Sequence, residues 1–304
     1  MHNRERGKFK KMSNPTFINK LSKVAEDHDV FIVDLWGVIH DGQNLYPGVK
    51  ECLEKFRDAG KKIIFLSNAP RRSSEVAKSL LNMGIGEDLY QKIVTSGEAF
   101  YDCLATPENS PLKPQGKNYF FIGLEKDANI IADLDYVKQD NIENADFVIL
   151  AHSYVDNQPL DQLMPLLEKA KAKNLPVYCI NPDKEIVRLS GEEVYCAGRL
   201  AEEYKNLGGE VIYFGKPHKA VYDAAFKAGE AADPNKVLAI GDNIVTDIAG
   251  GNNAGIKNVL VTGGILKGIN QEGCRQLFDQ HNIKPTFVIE GFAWDNQKSR
   301  NLGS

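Results

Sequence analysis

Apolar residues in this chain come in short continuous runs that end abruptly on a polar residue. Phe31-Ile32-Val33 stops at Asp34, and Ile63-Ile64-Phe65-Leu66 stops at Ser67-Asn68. Val211-Ile212-Tyr213-Phe214 runs into Gly215-Lys216, and Val237-Leu238-Ala239-Ile240 into Gly241-Asp242. Unbroken apolar runs of this length predict strands buried on both faces, the habit of parallel sheets. Ligands of open α/β sheets bind beyond the carboxyl ends of such strands. The four segments are therefore expected to bring two carboxylates, a hydroxyl and an ammonium to one edge of one sheet.

Between these runs the spacing changes to that of helices, and the alternation of the two patterns predicts the α/β class. Pro47 can open a helix whose apolar stripe is Val49, Cys52, Leu53 and Phe56, with Gly60 ending it. Ser73 is expected to cap the next helix, with Val76, Leu80 and Leu81 on its buried face and Gly84 as the stop. From about residue 95 the texture shifts. Pro107, Pro111, Pro114 and Gly116 mark a loop-rich junction, and new strands follow at 119–122, 147–150 and 177–180, with an amphipathic helix at 160–173. Residues 95–183 are read as an inserted domain, and residues 15–94 plus 184–304 as the core domain. The first sheet is expected to resume at Glu210 and to continue with strands at 237–240, 259–262 and 287–289. Residues 1–14 are expected to form a disordered basic leader, with Met12 as an alternative start, and the polar tail after Trp294 to fray.

Composition narrows the class. At 304 residues and 42% hydrophobic, the chain can bury one large core or two medium ones. A net charge of −4 predicts no broad cationic face for nucleic acid. No apolar run approaches a membrane span, and none follows the basic leader as a secretory signal would. The five cysteines are scattered, odd in number and never in a close pair, so reduced thiols and a cytoplasmic location are expected.

Each polar residue at a run's end has a chemical reading and a plain one. Asp34 suits a nucleophile or metal ligand, or a strand-end turn. Ser67-Asn68 suits phosphate oxygens, or ordinary turn chemistry. Lys216 is held near the sheet edge by Pro217, which cannot extend a strand; it suits phosphate binding, or a solvated surface position. Asp242 and Asp247, close together after an apolar strand, suit a hard cation such as Mg²⁺. Asp247 is equally read as the acid at the start of a helix through Ile248-Ala249-Gly250-Gly251. Asn181 and Asp183 follow a strand of the inserted segment and could line a cleft, or form an Asn-Pro-Asp turn. His152 and Tyr154 follow another. No Walker P-loop or dinucleotide-binding glycine fingerprint occurs.

Taken in order, the four segments resemble the motifs of the haloacid dehalogenase superfamily, mostly Mg²⁺-dependent phosphatases, over nearly the whole chain. Gly241-Asp242-Asn243 through Thr246-Asp247-Ile248, with Asn181-Pro182-Asp183 and Gly215-Lys216-Pro217, is similar to the NagD-type (class IIA) branch. The resemblance implies a doubly wound Rossmann-like core with a mobile α/β cap of type C2, and a homodimer as one oligomeric option. It implies Asp34 as nucleophile, Ser67, Asn68 and Lys216 as phosphate ligands, and Asp34, Asp242, Asp247 (through water) and the Trp36 carbonyl around Mg²⁺. The cap would choose the small phosphorylated metabolite, with Asn181 and Asp183 toward it.

One position departs from the family pattern. The first motif there is Asp-x-Asp, and the second acid, which protonates the leaving oxygen and later activates water, is Trp36 here. Loss of such a group costs about 10²–10⁴-fold in rate. His40, Asp41 or His218 could supply a proton instead, though each also fits loop structure. A phosphatase working through an aspartyl-phosphate on Asp34 is the favoured reading, with good leaving groups such as acyl or aryl phosphates as its restricted range. The alternatives are an impaired relative that only binds a phosphorylated ligand, and a hydrolase acting at carbon, as in dehalogenases with an aromatic at this position.

Overall fold

The computed structural model describes residues 14–106, 112, 116–187 and 192–295. The leader, prolines 107, 111 and 114, and the tail beyond residue 295 lie outside the described residues. The chain opens with β1 (Thr16–Phe17), α1 (Ser22–Ala25), β2 (Val30–Val33), α2 (Val49–Asp58), β3 (Lys62–Ser67), α3 (Ser73–Asn82), β4 (Lys92–Thr95) and α4 (Ser96–Ala105). It continues through β5 (Asn118–Ile122), β6 (Val137–Lys138), β7 (Phe147–Leu150), α5 (Leu160–Ala172), β8 (Val177–Cys179), β9 (Glu185–Val187), β10 (Glu193–Tyr195), α6 (Ala197–Asn206) and β11 (Val211–Tyr213). It closes with α7 (Lys219–Ala228), β12 (Val237–Gly241), α8 (Ala249–Asn253), β13 (Lys257–Val261), α9 (Gln271–His281) and β14 (Phe287–Ile289).

Seven strands form the first sheet, in the order β1-β14-β13-β12-β2-β3-β4, and every pairing is parallel. The all-apolar β2 lies inside the sheet, between β12 and β3, for a simple reason. Alternate side chains leave a strand on opposite faces. Phe31 and Val33 pack with Cys52, Leu53 and Phe56 of α2 and with Leu80 of α3. Val30 and Ile32 pack on the other face with Val221, Tyr222 and Ala225 of α7. Helices thus cover both faces, as expected for a doubly wound α/β core.

The second sheet is also parallel, in the order β11-β8-β7-β5-β6. One of its faces carries α5 and α6, through Leu163, Leu167, Leu200 and Tyr204. The other carries Phe100 and Leu104 of α4. A two-stranded antiparallel ribbon, β9 with β10, stands apart.

Several expectations need correction. The first sheet does not resume at Glu210: β11 pairs with β8, Val211 opposite Val177. With α6 also on the second sheet, residues 184–214, apart from the ribbon, go with the inserted segment and not with the core. The cause is local: Val211, Ile212 and Tyr213 are only half-buried, an edge strand's pattern. Leu81, expected on the buried face of α3, is 63% exposed. Ser73 does not cap α3; Arg72 holds the cap position, and the Ser73 hydroxyl donates to the Ile93 carbonyl at 3.0 Å. Strand β1 and the ribbon carry no strong sequence signal, each element being only two or three residues long, and β4 has only two adjacent apolar residues, Ile93 and Val94. No helix among the described residues is long and apolar enough to cross a membrane.

Leu53 is fully buried among the aromatic and branched residues under β2. Leu53→Ala is expected to cost roughly 2–5 kcal/mol of stability in urea unfolding. Leu81→Ala should change stability by no more than about 0.5 kcal/mol.

Candidate active site

Parallel register puts the polar ends of three neighbouring strands side by side. Ile240 pairs with Val33, and Val33 with Phe65. The Asp34 N–H donates to the Ile240 carbonyl at 2.8 Å, so Asp34 emerges beside Gly241-Asp242. Lys216 reaches the same point from the other sheet, through the turn after β11. Its ammonium lies 2.6 Å from Asp34 Oδ1 and 2.7 Å from Asp247 Oδ1. Carboxylate oxygens of Asp34, Asp242 and Asp247 all fall within 4.8 Å of one another. All four side chains are buried.

The charge balance of this cluster is unfavourable as it stands. Three buried carboxylates share one ammonium, leaving an excess of negative charge. Burial and the neighbouring Asp34 and Asp247 hold Asp242 well above the usual carboxylate range. Burial raises Asp247 to about 7, against the pull of Lys216. Burial also raises Asp34, which Lys216 again opposes. For Lys216, burial favours loss of the proton, but Asp247, Asp34 and Asp183 overcome it and hold the ammonium well above its ordinary value. A divalent cation would cancel the excess charge. A void of about 30 Å³, bordered by Asp34, Trp36, Asp242, Asn243 and Thr246, is large enough for a water-sized ion. Three hard oxygen donors suit Mg²⁺, which keeps several waters. The donor set therefore fits such an ion.

Backbone geometry holds the acids in place. Asp242 Oδ2 accepts the Ile265 N–H at 3.0 Å. Gly37, at φ +79°, lies so close that a Cβ there would stand 1.8 Å from the same oxygen. Only glycine combines that conformation with that approach. Asp247 Oδ2 accepts the Asn243 N–H at 3.2 Å, and the Tyr222 hydroxyl donates to the Asp247 carbonyl at 3.1 Å. The sequence reading of Asp247 as the acid that opens an ordinary helix is not what the structure shows. Asp247 sits in a single π-helical turn, Ile244–Ile248, capped by the Asn243 side chain, which accepts from Val245 N–H at 2.9 Å and Thr246 N–H at 3.3 Å. That wider turn brings the carboxylate back over Gly241 and toward Lys216. Helix α8 starts only after it.

Asn68 joins three segments. Its Oδ1 accepts the Lys216 N–H at 2.7 Å, and its Nδ2 donates to Asp183 Oδ1 at 2.9 Å. The amide thereby braces the turn that delivers Lys216 and ties it to the strand-end loop of the second sheet. Ser67 Oγ accepts the Ala69 N–H at 3.2 Å. Asn181 Oδ1 accepts the Asp183 N–H at 3.3 Å, which is the Asn-Pro-Asp turn. Both Asn181 and Asp183 also line a cleft.

That cleft, about 1120 Å³, runs between the two sheets with Asp34, Trp36, Ser67 and Asn68 among its lining residues from the first. His152, Tyr154, Asn181 and Asp183 line it from the other side. Arg71 lines it too, its Nε 2.7 Å from the buried Asp127 carboxylate. Sequence reasoning misses this pair because neither residue stands directly at the end of an apolar run; Arg71 and Asp127 lie deeper in the loops after β3 and β5. It misses Gly37 and Ile265 for another reason: their roles depend on proximity to Asp242, which no local pattern records.

The three residues considered as proton donors fare unequally. His218 stacks on Tyr213, ring centroids 5.6 Å apart, and does not line the cleft. Asp41 lines it. Slight burial pushes its carboxyl up, but the Asn44 and Gln43 N–H groups, which donate to Oδ1, hold it below its ordinary range. His40 also lines the cleft, and burial pushes its ring down to about 4. Its Nδ1 accepts the Gly42 N–H at 2.9 Å, which requires the neutral ring.

Comparison with known proteins agrees with this geometry. A family model described as haloacid dehalogenase-like hydrolase matches residues 31–137, and one described as HAD-hydrolase-like matches residues 213–294. The sugar-phosphatase AraL of Bacillus subtilis is 27% identical over 284 residues, covering 88% of this chain and 94% of AraL. The ribonucleotide monophosphatase NagD of Escherichia coli is 26% identical, covering 77% of this chain and 87% of NagD. A solved haloacid dehalogenase-like hydrolase from Brucella suis superposes with a TM-score of 0.78 at 28% identity, over 90% of this chain and 99% of that one.

The depressed His40 sets a pH dependence. Unfolded, the ring takes up a proton near pH 6.5; folded, it does so only near pH 4. The unfolded state binds the extra proton in between, so this group removes stability as pH falls from about 6.5 to 4. His40→Gln should abolish that component. The wild-type-minus-variant difference in urea stability should shift by up to about 3 kcal/mol across the window.

Proposed function

The chain belongs to the haloacid dehalogenase-like superfamily of hydrolases, and from that premise we propose that it is a Mg²⁺-dependent, NagD-like (class IIA) phosphatase of small phosphorylated metabolites. The observation that carries this reading is the buried triad Asp34, Asp242 and Asp247 around the Lys216 ammonium, bordering a cleft between two domains. The phosphatase names of AraL and NagD support it.

In the proposed reaction the Asp34 carboxylate attacks phosphorus in line with the ester oxygen. The Asp34 Oδ–P bond forms, the P–O ester bond breaks, and the electron pair leaves with the ester oxygen. Water then attacks phosphorus, breaks the Asp34–phosphate bond and gives up its proton, releasing inorganic phosphate and restoring Asp34. Lys216 holds Asp34 ready and, with Ser67, offers positive charge and a hydroxyl to the transferring oxygens. Asp34, Asp242 and the Trp36 carbonyl would hold Mg²⁺, with Asp247 reaching it through water; when bound, the ion supplies positive charge to the phosphate. Asn181 and Asp183, with the second domain, would face the rest of the substrate.

Trp36 supports one rival, a relative that binds a phosphorylated ligand without turning it over. Hydrolysis at carbon is disfavoured, because a metal-free reaction has little use for the acid pair Asp242 and Asp247. The assay is p-nitrophenyl phosphate hydrolysis, whose leaving group needs no proton. Turnover with Mg²⁺ is expected, with loss on chelation. Asp34→Asn should lower kcat by on the order of 10⁴-fold or more. Absence of Mg²⁺-dependent turnover, with phosphate still bound by Asp34→Asn, would favour the rival.

A further inference from the structure

Trp36 borders both the small void beside the acids and the large cleft. Its indole is firmly placed. A Cβ on Gly42 would stand 2.2 Å from its Cζ3, so that glycine lies flush against the ring. The His40 ring meets it edge-on, centroids 6.0 Å apart. An indole N–H is a hydrogen-bond donor but neither an acid nor a base near neutral pH. Beside it, His40 Nδ1 is occupied by the Gly42 N–H, and Asp41 Oδ1 by the Gln43 and Asn44 N–H groups. Val76, Met83, Tyr154 and Val155 are further apolar residues lining the same cleft as the indole, the last two 38% and 59% exposed.

We propose that Trp36 is a specificity-determining residue that makes aryl phosphates the substrates of this site: esters whose oxygen departs as an anion without a proton, with the aromatic ring resting against the indole. The inference rests on the phosphatase reading above. When Asp34 displaces the leaving group, the electron pair of the broken P–O bond is delocalised into the departing ring, so no donor is required. The second step has no such relief. The water that breaks the Asp34–phosphate bond must release its proton to bulk solvent, because position 36 offers no base. Release of the aryl oxide therefore outruns release of phosphate, and phosphoryl accumulates on Asp34.

The test compares p-nitrophenyl, phenyl and glycerol phosphates with Mg²⁺, in steady state and by stopped flow. Wild type should favour p-nitrophenyl over glycerol phosphate by at least about 100-fold in kcat/KM, and should release a burst of about one nitrophenolate per site. Trp36→Asp should raise glycerol phosphate turnover by about 10²–10⁴-fold and remove the burst. Trp36→Phe, a gentler change, should keep both the steep leaving-group dependence and the burst. Similar wild-type rates on all three esters, or no gain in Trp36→Asp, would overturn the inference while leaving the phosphatase reading intact. If Asp183→Asn steepened the leaving-group dependence, the proton would come from Asp183, and the inference would fall. If no ester is cleaved and Asp34 never gains a phosphoryl group by intact mass, the phosphatase reading falls and this inference with it.

Discussion

Three carboxylates buried beside a single ammonium form the constraint on which the rest of the structure depends. Unpaired buried charge is among the most costly features a fold can carry. Here the cost is limited by where the acids sit. Two of them lie just past the carboxyl ends of adjacent strands, and the third swings in from a π-helical turn. Lys216 bridges Asp34 and Asp247, and the Ile265 and Asn243 amides satisfy one oxygen each of Asp242 and Asp247. What remains is a local excess of negative charge that a divalent cation can offset. Three oxygen donors in such surroundings suit a hard ion.

Holding such a cluster requires a stiff frame. The interior strand β2 supplies it by burying both faces, Phe31 and Val33 against α2, Val30 and Ile32 against α7. Register then does the rest, because a one-residue slip of β2 against β12 would turn Asp34 away from Asp242. Gly37 and Gly264 allow the backbone to close on the Asp242 carboxylate from two sides. Adding a side chain at either would push the acid out of the cluster.

The second sheet contributes differently. It supplies no member of the acid cluster, yet the strand that leads into Lys216 belongs to it. Lys216 therefore stands at the point where the chain passes from one sheet back to the other. Asn68, hydrogen-bonded to both Lys216 and Asp183, lies across that same passage. Movement of one sheet relative to the other would bear directly on the ammonium. Trp36 lines the cleft beside the acids.

Much of this was legible in the residues alone. The α/β class, the inner strands and the meeting of Asp34 and Asp242 at one sheet edge follow from apolar runs that end on polar residues, because burial on both faces leaves a clear mark. Tertiary structure alone decided the remainder. Strand β11 is too short and too exposed to announce its sheet, so only pairing with β8 revealed it. The plain readings of Lys216 and Asp247 were excluded only when both proved buried and in contact. The role of Gly37, and of the Arg71–Asp127 pair in the cleft, depends on residues far apart in the chain. Local sequence records what a residue can do; which partners it meets is set by packing between distant segments.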